Sequence, residues 1–149
     1  MDTVLGKPGT GSLLTVVDRK ARLLLAAKIE DRTAAAVQVA LIRLPDGLEC
    51  RSLTTDNGKE FARHREISAA LGAPVYFAHP HSPWERGTNE NTNGLIREYL
   101  PRGLDFRGVQ NDDVLRIVER LNKRHGKCLG FRTPREAFFN FPVAFGLTI

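Results

Sequence analysis

The chain has 149 residues, 42% hydrophobic and 26% charged, which suits one soluble domain with its own core. Its net charge of +5 favours a polyanionic partner. No apolar run approaches the roughly 18 residues that span a bilayer, and "MDTVLGKPGT" lacks the basic and apolar blocks of a signal peptide. Two cysteines, Cys50 and Cys128, make neither a disulfide framework nor a zinc cluster, and a reducing cytoplasm is the simplest compartment.

"DTVLG" from Asp2 reads as a short strand and "KPGTGS" as a turn. "LLTVVD" (13–18) and "RLLLAAKI" (22–29) are apolar runs with a short link, so the first three strands are expected to be consecutive and antiparallel. "DRTAAAVQVALIRL" reads as a helix capped by Asp31 or Thr33 and stopped by Pro45. "CRSLTTD" (50–56) is a fourth strand, followed by a turn and a helix that Gly72 closes. "APVYFA" is a fifth strand and "HPHSPWERG" a loop. "TNENTNGLIREYL" is a helix ending by Pro101. "NDDVLRIVERLNKRHG" is another, with Asn111 as cap, acids in its first turn and bases in its last. "TPRE" opens a final helix, with Thr133 as cap, Pro134 at the first position and Glu136 completing a capping box. Strands interleaved with helices predict an α/β sandwich with a mixed sheet.

Three acids stand out by position. Asp2 begins a strand, where Asp has little intrinsic place and is costly if buried unless it binds something. Asp56 follows an apolar strand, and ligands of open α/β sheets gather beyond strand ends. It also precedes Asn57-Gly58, so ordinary turn chemistry explains it as well. Glu90 sits among asparagines at a helix start, where the helix dipole favours a carboxylate in any case. Asp18 reads as a hairpin-end charge beside Arg19 and Lys20. As a set, Asp2, Asp56 and Glu90 are hard oxygen donors with no histidine, which suits Mg²⁺ or Mn²⁺. Such a set on a basic protein is what two-metal phosphoryl transfer requires.

The stretches "DTVLGK", "VVDRKAR", "TTDNGKEFARH" and "HPHSPWERGTNENTNGLIREYLPRG" resemble the catalytic core of bacterial insertion-sequence transposases. More narrowly they are similar to the insertion-sequence-thirty family of the DDE, retroviral-integrase-like superfamily. The resemblance covers nearly the whole chain. It implies a ribonuclease-H-like fold, with a five-stranded mixed sheet of three antiparallel strands and two parallel additions, flanked by helices. It implies Asp2, Asp56 and Glu90 as catalytic and metal-binding residues, with two Mg²⁺ or Mn²⁺ ions. It implies DNA as partner, both transposon ends and target, with strand cleavage and strand transfer during transposition and integration. The working form is expected to be a homo-oligomer, at least a dimer, in the bacterial cytoplasm at the nucleoid. Residues 1–149 are expected to form the single catalytic core domain, without the N-terminal DNA-binding region that family members usually carry.

Around the acids, Asn91, Asn93, Arg86 and Arg97 are candidate DNA contacts, and Asn91 and Asn93 are alternatively partners for the ligating carboxylates. Lys123 and Arg124, in the basic stretch "RLNKRHGK", are further candidates, though cations also suit a helix C-terminus. Gly94 has room for DNA or another backbone to approach. His79, His81 and Trp84 carry loop, core or DNA roles that the sequence does not separate. Glu60 and Glu98 read as solvated helix charges. Two rival functions fit the same pattern: a ribonuclease-H-like nuclease that only hydrolyses, and a truncated module that binds DNA or self-associates without catalysis.

Overall fold

Three apolar runs separated by tight turns fold back on one another as a meander: β1 (Asp2–Leu5), β2 (Ser12–Val17) and β3 (Leu24–Ile29). The computed structural model describes residues 1–45, 47–79 and 87–139. After the meander come α1 (Ala34–Arg43), β4 (Leu53–Thr55), α2 (His64–Leu71), β5 (Val75–Phe77), α3 (Gly87–Ile96), α4 (Asn111–Asn122) and α5 (Pro134–Phe139). Among the described residues no helix is long and apolar enough to cross a membrane.

The meander is antiparallel, with Asp2 opposite Thr15 in the first ladder and Val17 opposite Leu24 in the second. β2 is its middle strand and is buried on both faces, which is why it reads as a continuous apolar run. Leu13 and Val17 join Val4, Ile96, Phe106 and Ile117 on the side of α3 and α4. Leu14 joins Val37, Leu41, Phe61 and Ile67 on the side of α1 and α2. β4 and β5 form a parallel pair, Leu53 opposite Val75. The five expected strands are therefore present, but their ladders join them as three plus two. The Met1 amino group links the two groups by donating to Thr54 O at 2.6 Å. β1 (four residues) and β4 (three residues) are joined by this bond and form no ladder with each other.

The helix ends follow local chemistry. Thr33 caps α1 by accepting from Ala36 N, and Asp31 in turn accepts from the Thr33 hydroxyl and amide. Those bonds, the hydroxyl first, lower the Asp31 pKa. Gly72 closes α2 in the left-handed region, φ 62°. Thr133 and Glu136 form the expected capping box at α5. At α4 the cap is Gln110 rather than Asn111, and the Gln110 amide donates to Asp113 at 3.0 Å. Asp18 serves its own turn, since its Oδ1 accepts from the amides of Lys20 and Ala21.

At the end of α4, Asn122 acts as a one-residue strand. Its Oδ1 accepts from Leu24 N and its Nδ2 donates to Leu24 O, both at 2.8 Å and buried. Replacing Asn122 with Ala strands a buried donor and a buried acceptor on β3. The expected cost is about 2–4 kcal/mol of stability, read by urea unfolding. An Asn122→Ala midpoint equal to wild type rules this out.

Candidate active site

β1 delivers Asp2 half-buried at its first residue. One carboxylate oxygen accepts from Thr3 N at 2.8 Å, and the other from Asn93 Nδ2 at 3.1 Å. Asn93 comes from α3, far along the chain. Its Oδ1 lies 3.1 Å from the hydroxyl of fully buried Thr15, which is also 3.2 Å from Asp2 O. The single hydroxyl proton serves one of these acceptors at a time.

Helical spacing sorts the asparagines of α3. Asn89, Thr92 and Ile96 are buried, and Asn93 is half-buried beside them. Glu90, Asn91 and Gly94 fall on the exposed side. Glu90 lies in the first turn, one turn before Asn93, so the bond from Asn93 to Asp2 brings the Glu90 helix against the Asp2 strand. A Cβ at Gly94 would meet nothing within 4 Å, so none of the described residues occupies that space.

β4 delivers Asp56 just past its last residue, half-buried, with Oδ1 accepting from Gly58 N at 3.1 Å. Next to it lies a residue whose role the sequence did not suggest. Glu60 is not a solvated charge: it is 8% exposed. A 3-10 turn (Lys59–Phe61) carries it inward together with fully buried Phe61. Its Oε1 accepts from Arg32 Nη2 and, at 3.3 Å, from Thr3 Oγ1. Burial works to raise the Glu60 pKa, but its own backbone amide, Arg32 and Thr3 outweigh it and hold the carboxyl below its ordinary value. The only sequence signal for this was an acid directly before a core phenylalanine.

The other candidates are placed as follows. Arg97 is half-buried and its Nη1 donates to Leu100 O at 3.3 Å; burial first, and Arg102 second, lower its pKa. Lys123 pairs with Glu119 at 2.6 Å, and Arg124 lies 3.8 Å from Glu98, all on the surface. Glu98 is thus solvated, as expected, and also faces a cation. His79 is exposed. Arg86, His81 and Trp84 lie outside the described residues.

Asp2, Asp56 and Glu90 are all oxygen donors, the right kind for a hard divalent cation. Among the described residues no three His, Cys, Asp or Glu side chains lie close enough to share an ion. The donor chemistry therefore fits such a cation, while the three carboxylates do not meet as one group in this structure.

A meander joined to a parallel pair, helices on both faces and an acid at a strand start define a ribonuclease-H-like fold. The catalytic core domain of BIV integrase has the same fold, with a TM-score of 0.73 and 23% identity over 94% of this chain and 91% of that one. So does a simian T-cell lymphotropic virus intasome chain, with a TM-score of 0.74 and 18% identity over 97% of this chain and 54% of that one. Residues 1–83 match the integrase core domain, and the chain belongs to that family. It is 43% identical over 141 residues to the transposase for insertion sequence element IS4351 of Bacteroides fragilis, covering 93% of this chain and 43% of that one. It is 41% identical over 128 residues to transposase InsI for IS30A of Escherichia coli K12, covering 83% and 33%. The resemblance to insertion-sequence transposases read from the sequence is borne out, and the chain spans less than half the length of these relatives.

The Asn93 bridge makes a graded prediction. Asn93→Ala removes the donor to Asp2 and is expected to cost about 1–2 kcal/mol. Asn93→Asp sets a second carboxylate against Asp2 and is expected to cost more, with the gap widening at low salt. Urea unfolding at two ionic strengths reads both, and equal stability of the two variants contradicts the bridge.

Proposed function

We propose that this chain is the catalytic core of an insertion-sequence transposase, cutting DNA at a transposon end and joining the 3′-hydroxyl to target DNA. One observation carries the reading furthest: Asn93, one turn beyond Glu90, donates to the Asp2 carboxylate, so one bond holds the strand of one acid against the helix of another. The integrase core family and the insertion-sequence relatives support the reaction class.

In this reading Asp2, Asp56 and Glu90 hold two Mg²⁺ or Mn²⁺ ions. When bound, such ions lower the cost of charge on the attacking and leaving oxygens of phosphate. The chain supplies the rest. Thr3 N and Asn93 aim the Asp2 carboxylate, and Gly58 N aims that of Asp56. The open side of α3, with Asn91 and Gly94, leaves room for a DNA backbone beside Glu90. Arg86, Arg97, Lys123 and Arg124 are proposed phosphate contacts, with residues 1–149 as one catalytic domain and at least two copies in the working complex. Lys123 and Arg124 are partly neutralised by Glu119 and Glu98, but exposed pairs are worth at most about 1 kcal/mol and give way readily to phosphate.

The test uses a transposase of the relatives' full length that carries this core. Glu90→Gln is expected to abolish Mn²⁺-dependent strand transfer while DNA affinity holds. Lys123→Ala with Arg124→Ala is expected to do the reverse. DNA binding weakens, and the slope of log affinity against log salt flattens by about 0.9 for each phosphate no longer neutralised. Near-normal strand transfer by Glu90→Gln contradicts the ligand role. Hydrolysis without any joining by the wild type contradicts the transposase reading.

A further inference from the structure

Buried Glu60 sits beside the acid site but is none of its proposed ligands. Its carboxylate lies between two things that must stay in register, β1 and the turn that carries Asp56. Toward β1, Oε1 accepts from Thr3, the residue after Asp2. Toward the start of α1, the same oxygen takes the guanidinium of Arg32. Toward the turn, Oε2 borders Gly58. A Cβ there would sit 2.5 Å from Glu60 Oε2, 2.8 Å from Glu60 Cδ and 2.9 Å from Asp56 Oδ1. Gly58 has φ −69° and ψ 145°, a conformation open to any residue. Its glycine is therefore a matter of space: the carboxylates of Asp56 and Glu60 both crowd the volume a side chain would fill.

An ion pair of this kind is a weak stability device. The Glu60 side chain is 9% exposed and that of Arg32 43%. Desolvating a carboxylate costs several kcal/mol, and a buried pair seldom beats a well-packed apolar one. What it supplies is geometry, because a carboxylate with fixed donors on two elements cannot slide.

We propose that Glu60, anchored by Arg32 and Thr3, is a positioning residue that sets the Asp56 carboxylate against β1 and so tunes the affinity of the acid site for a divalent cation. The inference rests on the reading of Asp2 and Asp56 as metal ligands. Glu60 acts through the turn and is not itself counted among the ligands. Direct outer partners of metal ligands typically govern metal affinity by about 10–100-fold, and Glu60, which acts one step further out through Thr3 and Gly58, is expected at the low end of that range.

Mn²⁺ binding to the 149-residue chain, followed by electron paramagnetic resonance of the free ion, tests this directly. Circular dichroism checks that each variant is folded. Glu60→Gln keeps the shape and removes the charge, and is expected to weaken Mn²⁺ binding about tenfold. Thr3→Val removes only the bond from β1 and is expected to weaken it in the same direction by less. Arg32→Lys keeps a cation and is expected to retain most of the affinity, whereas Arg32→Met is not. Asp56→Asn is the control for the underlying reading. If Asp56→Asn leaves Mn²⁺ binding intact, the ligand assignment fails and this proposal with it. If Asp56→Asn abolishes binding while folded Glu60→Gln and Thr3→Val bind as wild type, the positioning role alone is overturned. Should Glu60→Gln not fold, Thr3→Val and the Arg32 pair decide in the same way. A Glu60→Gln loss as complete as that of Asp56→Asn also overturns the proposal, because Glu60 would then be a ligand.

Discussion

One side-chain amide ties α3 to the first two strands. Asn93 uses both halves of its head group, giving a hydrogen to Asp2 from β1 and offering its oxygen to Thr15 of β2. Other residue types fit that place poorly. A leucine would take one of its two acceptors from the buried Thr15 hydroxyl and leave only the Asp2 carbonyl among the described residues, and an aspartate would repel Asp2. Because Glu90 lies one turn earlier on the same helix, the bond that orients Asp2 also fixes where Glu90 enters. The core reinforces this docking, since Ile96 of α3 packs with Val4 and Leu13 of the meander.

The second constraint is charge. Asp56 and Glu60 border the same glycine, and Glu60 reaches the residue after Asp2, in a chain whose net charge is +5. Asp2, Asp56 and Glu60 are each supplied with their own donors: Thr3 N and Asn93 for Asp2, Gly58 N for Asp56, Arg32 and Thr3 for Glu60. These donors keep negative charges in place that would otherwise push apart. The cations of α4 are used differently, in exposed pairs with Glu119 and Glu98 that salt screens. Glu60 is buried, whereas the pairs around Glu119 and Glu98 stay exposed on both sides.

The sequence revealed what is local. Strand order, the Thr33 cap, the Gly72 stop and the Thr133–Glu136 box all depend on neighbours within a few residues, and all were legible. The Gln110 cap was misplaced by one residue because Asn111 has equal local credentials. Asp2 stood out as a misfit to its strand, whereas Asp56 and Glu90 fit their turn and helix start and drew notice only as part of a set. What stayed hidden is set by distant partners. Asn122 finds Leu24 across the fold, and Glu60 finds Thr3 and Arg32. On its own segment, Glu60 has the charge and company of any helix-surface acid. The split of the sheet into three strands plus two was hidden for the same reason, since pairing between β1 and β4 would join segments far apart in the chain.

Asp56-Asn57-Gly58 shows how a local signal can be read correctly for an incomplete reason. Asp-Asn-Gly is turn chemistry, and a turn is what it makes, with Asp56 Oδ1 accepting from Gly58 N. In most such turns glycine supplies a positive φ that other residues resist. Here the angle is ordinary. The absent side chain instead leaves room for two carboxylates beside one backbone position. The turn alone would tolerate alanine, but a methyl there would make the Asp56 and Glu60 carboxylates shift. The glycine therefore bears on the placing of Asp56 and Glu60 through the space it leaves rather than through any group of its own.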